Sequence, residues 1–140
     1  MSVQAILLPL FVEVILTFAL LFWMAPLRVR AVRLGAVRAE EIALREPNWP
    51  KRVTQVGNCY ANQFELPILF YVLAILELVT HRAGVLFVVL AWAFVMFRLL
   101  HAYVHVTSNT VNVRGPLFGG SAFTLAAMWL VFMVQVMARF

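Results

Sequence analysis

Aspartate is absent from this chain, and lysine and cysteine each occur only once. The lone Cys59 excludes an intrachain disulfide and leaves the redox compartment open. Charged residues make up 12% of the 140 residues, against roughly 25% in a typical soluble domain. That scarcity excludes an ordinary water-solvated surface, because 64% of the chain is hydrophobic and a soluble core of this size could not hide it. The natural solvent is a bilayer. Internal repeats and low-complexity tracts are also missing. The first apolar run does not read as a cleavable leader: it has no basic start, it is too long, and Glu13 stands in its middle.

What is present is four apolar segments, at about 3–27, 53–79, 84–107 and 117–138. Each is long enough to cross ~30 Å of hydrocarbon as a helix. Helices satisfy their own backbone groups in lipid, so the expected fold is an all-α, four-helix transmembrane bundle, with residues 1–140 as one domain. The link 28–52 is basic, with seven positive charges against three negative. The positive-inside rule makes this loop cytoplasmic and puts both termini on the opposite side. One or two of its arginines could also take an anionic ligand at the membrane edge. With the basic residues lying there, nucleic acid is not expected as a partner.

Two polar stripes break the apolar pattern. Arg98, His101, His105 and Asn109 fall at i, i+3, i+7 and i+11 of the third segment, on one narrow helix face. Gln55, Asn58, Asn62 and Glu65 fall at i, i+3, i+7 and i+10 of the second, and Pro67 follows with an expected kink. Residues 81–84 allow only a tight turn, so the second and third helices form an antiparallel hairpin. At ~1.5 Å per residue, Glu65 then lies roughly 17 Å into the membrane and Arg98 roughly 14 Å. An unpaired ionised group near mid-bilayer costs ~2.5–3.5 kcal/mol even on the lenient insertion scale. A Glu65–Arg98 ion pair is therefore expected, with Glu13 as a possible third member. Glu77 lies near the far end.

Several of these residues admit more than one role. His101 and His105 could bind a metal with Glu65, or simply hydrogen-bond inside the bundle. No second cluster of ligands supports a metal, and none is expected. Cys59 is either a thiol near the site or a small core residue. Asn58 and Asn62 could serve only as interhelical hydrogen-bond partners. A lone membrane glutamate such as Glu13 also superficially suggests a small multidrug exporter, although that reading leaves both stripes unexplained.

The run Asn62-Gln-Phe-Glu65-Leu-Pro67, followed by Arg98-Leu-Leu-His101-Ala-Tyr-Val-His105 and Arg114, resembles the MAPEG family, membrane-associated proteins in eicosanoid and glutathione metabolism, in a bacterial form. The resemblance spans nearly the whole chain. It implies a homotrimer of four-helix protomers in a bacterial inner membrane. It implies a glutathione-dependent transferase or peroxidase that acts on lipophilic electrophiles between subunits. Glutathione would be the bound co-substrate and a lipophilic molecule or lipid the partner. By position, Asn62 and Glu65 would contact the tripeptide, Glu65 through its amino group. Arg98, His101 and His105 would line the facing wall, and Arg114 would stabilise the thiolate. Arg28 or Arg30 would reach a carboxylate. The pattern departs from the family at Asn58, where active transferases carry an arginine. A non-catalytic, lipid- or ligand-binding protein of the same fold is the alternative.

Overall fold

The computed structural model describes residues 1–138; the expected domain limit at 140 thus lies outside the described residues. The structure is all-helical, and its helices form four stretches long and apolar enough to cross a membrane. α1 is Val3–Arg33, α2 Lys51–Ala61, α3 Leu66–Val79, α4 Val85–Val106 and α5 Val111–Met137. α2 and α3 together make the second span, joined by a 3-10 turn at Asn62–Phe64.

The break between α2 and α3 follows from Pro67. Proline has no N–H to donate to the carbonyl four residues back, and its ring crowds that turn. The chain answers by tightening into the 3-10 turn and leaving helical geometry at Glu65, with φ −96° and ψ −106°. Pro67 then sits in the first turn of α3, where a missing N–H costs nothing. The hairpin that follows turns on His81, which adopts φ 55°.

Helix limits differ from the apolar segments in two places. α1 continues to Arg33, so Arg28, Arg30 and Arg33 belong to its last turns and not to a loop. Pro26 is accommodated inside α1, and basic residues suit the negative end of the helix dipole. α5 begins at Val111 and includes Arg114, Gly115 and Pro116. Pro116 can give no N–H to Asn112, whose exposed position leaves that carbonyl to solvent.

α4 packs along α5 and against α1, while α1 also lies against α2 and α3. The main core fills the far half of the bundle, with Phe70, Leu73, Phe87, Phe94, Val95, Leu125 and Met128 all buried. Phe70 and Phe94 stack with ring centroids 4.7 Å apart. A smaller cluster of Leu20, Cys59, Ala102 and Val106 fills the half nearer the basic segment, called here the loop side. The outer faces carry Leu8, Phe11, Ile15, Phe18 and Phe22 on α1 and Ile68, Val72, Ile75 and Val79 on α3, all exposed. Such faces are stable against lipid tails or another apolar helix.

Two ties pin α2 to the end of α4. Gln55 Nε2 donates to the carbonyls of His105 at 2.8 Å and Thr107 at 3.1 Å. Arg52 Nη1 donates to the Val106 carbonyl. These carbonyls close α4 and lack intrahelical donors. Gln55 is therefore a helix cap, not a member of a ligand-facing stripe. On the opposite side of α4, a Cβ at Gly120 would stand 2.7 Å from the Phe97 ring. Gly120→Ala is expected to lower stability by ~1–3 kcal/mol, read as a fall in the unfolding temperature in detergent. Phe97→Leu in the same chain should recover part of that loss.

Candidate functional site

Arg98 is fully buried near the middle of α4, and its partners come from α1 and from the 3-10 turn of the second span. Glu13 of α1, also fully buried, places Oε1 3.6 Å from Arg98 Nε. Arg98 Nη2 donates to the Asn62 carbonyl at 3.1 Å, to Asn62 Oδ1 at 2.7 Å and to Gln63 Oε1 at 3.4 Å. The helix break makes this possible. In the 3-10 turn the Asn62 carbonyl accepts the Glu65 N–H at 3.4 Å and stays open to a further donor from α4.

The expected Glu65–Arg98 ion pair does not form; the carboxylate beside Arg98 belongs to Glu13. Asn62 stands between the two groups. Its Oδ1 faces Arg98, so its Nδ2 is turned to donate to Glu65 Oε2, at 2.8 Å. A guanidinium offers only donors and an ionised carboxylate only acceptors, so this amide orientation is dictated. Glu65 itself lies on the exposed face of the second span. No cation pairs with it among the described residues.

The other candidate residues fall into two further groups. His101 and His105 are buried on the inward face of α4, with ring centroids 5.4 Å apart. Their Nδ1 atoms have no hydrogen-bond partner among the described residues. His101 also lies against Phe118, with centroids 5.8 Å apart. Asn109 stands beyond the end of α4 at φ 52°, and its Oδ1 accepts a hydrogen bond from Arg114 Nη1. Arg114 is half-buried at this loop-side mouth. No group of three metal-ligating side chains occurs among the described residues.

The third group lines a cleft of about 750 Å³ between the end of α1, the 34–50 link and α2. Arg28, Arg45, Trp49, Asn58 and Phe64 face it. The Arg28 guanidinium lies 5.1 Å over the Trp49 ring. Gly57 lets it approach α2 closely, since a Cβ there would meet Arg28 Nη2 at 3.3 Å. Arg30 is exposed on α1 and borders a separate shallow cleft of about 310 Å³. Asn58 is exposed and Cys59 is fully buried, so the thiol belongs to the core.

Gln63 escaped the sequence reading. It is buried, its Nε2 donates to the Cys59 carbonyl at 3.0 Å, and its Oε1 reaches Arg98. Its polarity inside an apolar span was a signal, but a straight helix places it off the Asn62 face. Only the 3-10 turn brings residues 62 and 63 to Arg98 together.

These observations define an integral membrane protein of four spans, with a buried ion pair bridged through an amide to an exposed carboxylate. The MAPEG family model matches residues 6–134, and the chain belongs to the MAPEG family. No curated protein and no solved structure matches significantly. Family membership, with Glu13 paired to Arg98, leaves no support for the exporter reading.

Asn62→Leu removes a charge-assisted acceptor from Arg98 and the donor that holds Glu65. It is expected to cost ~1.5–3 kcal/mol, measured by thermal unfolding in detergent. Asn62→Gln should fall between the variant and wild type.

Proposed function

We propose that this protein is a glutathione-dependent transferase or peroxidase that acts on lipophilic electrophiles at an interface between subunits of a homotrimer. The observation that carries this reading is Glu65. A carboxylate exposed on a membrane span, oriented by Asn62 and lacking a cationic partner in the described protomer, calls for a positively charged ligand group. The amino group of glutathione supplies that charge. Arg28 and Arg30, at the loop-side end of α1, suit its carboxylates, with Arg28 and Asn58 facing the large cleft. Arg98 acts through Asn62, and His101 and His105 lie behind the surface that a ligand would meet.

Arg114 is the group assigned to the sulfur. A fixed positive charge favours thiolate over thiol, and the thiolate is the nucleophile. The thiolate then forms a carbon–sulfur bond as the electrophile's leaving group departs with its electron pair, or as an activated double bond takes that pair and is protonated. With a hydroperoxide, two glutathione thiols together become the disulfide and the peroxide becomes alcohol and water. A site opening toward lipid suits substrates that partition into the bilayer. A homotrimer would cover part of the apolar face of each protomer. The charge of the basic link supports a cytoplasmic orientation in a bacterial inner membrane.

One observation favours a second reading. Asn58 brings no charge to the cleft, so a ligand carboxylate there loses a charge-assisted hydrogen bond of ~1.5–3 kcal/mol. A non-catalytic protein holding a lipid or anionic ligand would tolerate that loss. Calorimetry and thiolate absorbance with glutathione separate the two. The catalytic reading expects saturable binding with a thiolate signal in wild type. It expects that signal to vanish in Arg114→Ala and turnover to fall by ~10²–10³. Absence of binding at millimolar glutathione overturns it.

A further inference from the structure

Glu13 lies on α1, outside the pattern of residues that marks the candidate site, yet it governs what Glu65 can do. Arg98 carries a permanent charge, because a guanidinium does not release its proton in a protein. Buried in the bundle, it must have a carboxylate partner. Two carboxylates compete for that place. Glu13 lies 3.6 Å from Arg98 Nε. Glu65 is one carboxamide away, since Arg98 Nη2 and Glu65 Oε2 bind opposite ends of the same Asn62 side chain at 2.7 and 2.8 Å. The outcome of the competition decides whether Glu65 is spent inside the protein or left open at its surface.

We propose that Glu13 is a positioning residue that holds Arg98 away from Glu65, so that the Glu65 carboxylate remains free to take a ligand's ammonium group. The ligand in this inference rests on the glutathione reading above; the competition for Arg98 does not. The contact geometry fits the role. Glu13 Oε1 lies 3.6 Å from Nε, an ion pair without a hydrogen bond, while Nη2 is committed to Asn62 and Gln63. Both acids therefore bear on one cation, Glu13 directly and Glu65 through the Asn62 amide. Glu13 neutralises it, and Asn62 keeps Glu65 at a distance while donating to it. Without the Glu13 charge, Arg98 and Glu65 would collapse onto each other and displace the Asn62 amide between them.

The test compares wild type, Glu13→Gln and Glu13→Gln/Arg98→Gln. Each is titrated with glutathione and with its deaminated analogue, glutaryl-cysteinyl-glycine, and its ligand-free structure is determined. Wild type should prefer glutathione. Glu13→Gln should lower glutathione affinity by ~10–100-fold, the range of one lost charged contact, and leave the analogue within about 3-fold. The double variant, which removes the competing cation, should restore the preference for glutathione. A purely structural role predicts equal loss of both ligands and no such restoration, and that result overturns the proposal. So does wild-type discrimination in Glu13→Gln.

If wild type binds neither ligand, the glutathione reading fails and the ligand-free structures decide the inference. Arg98 turned onto Glu65 in Glu13→Gln upholds it; Arg98 still on Asn62 overturns it. Should Glu13→Gln not fold, Glu13→Asp replaces it, with its shorter reach to Arg98. An intermediate loss of discrimination, or an Arg98–Glu65 contact, is then expected. Full discrimination with Arg98 unmoved overturns the proposal.

Discussion

One cation that cannot shed its proton organises this bundle. Arg98 stands fully buried among apolar side chains, and removing one partner from a buried ion pair typically costs ~3–5 kcal/mol. That constraint fixes which face of α1 turns inward, because Glu13 must meet it. It fixes the interruption of the second span, because the 3-10 turn places the Asn62 carbonyl and both polar side chains of residues 62 and 63 within reach. It also fixes the Asn62 amide, and through it the direction of Glu65. The apolar core in the far half is ordinary close packing by comparison.

Much of the architecture was legible in the sequence because the bilayer imposes it. Length and apolarity mark four spans, and the motifs of the second and third spans mark the family. Pro67 marks the interruption. The pairing of charges was not legible. Depth along straight helices places Glu65 and Arg98 at similar heights, which suggested that they meet. Depth carries no information about rotation, and the 3-10 turn sets Glu65 on the outer face while Asn62 and Gln63 reach Arg98. Nor does periodicity within the second and third spans say which acid the first span brings to the same cation.

The helix limits teach a related lesson. Pro26 and the Gly115-Pro116 pair look like breakers, yet each lies inside a helix. Proline breaks a helix when the orphaned carbonyl has nowhere to go. At the start of the fourth span, the exposed Asn112 carbonyl left free by Pro116 can take water as its donor. Gln55 shows the converse. It falls on the periodic polar stripe by position, but its nearest need is to close the unsatisfied carbonyls of α4.

The two arginine–tryptophan contacts have a consequence for how the molecule sits in its solvent. Arg28 lies over Trp49, and Arg52 lies 4.9 Å over Trp23. Tryptophan favours the headgroup layer and arginine the water beyond it. Together they form a flotation line, fastened through Arg52 to the end of α4 and hence to the helix that carries Arg98. α1, with 31 residues, is longer than the ~20 needed to cross hydrocarbon. A bilayer of changed thickness therefore cannot simply slide along the protein. It must deform around this line, or tilt the bundle.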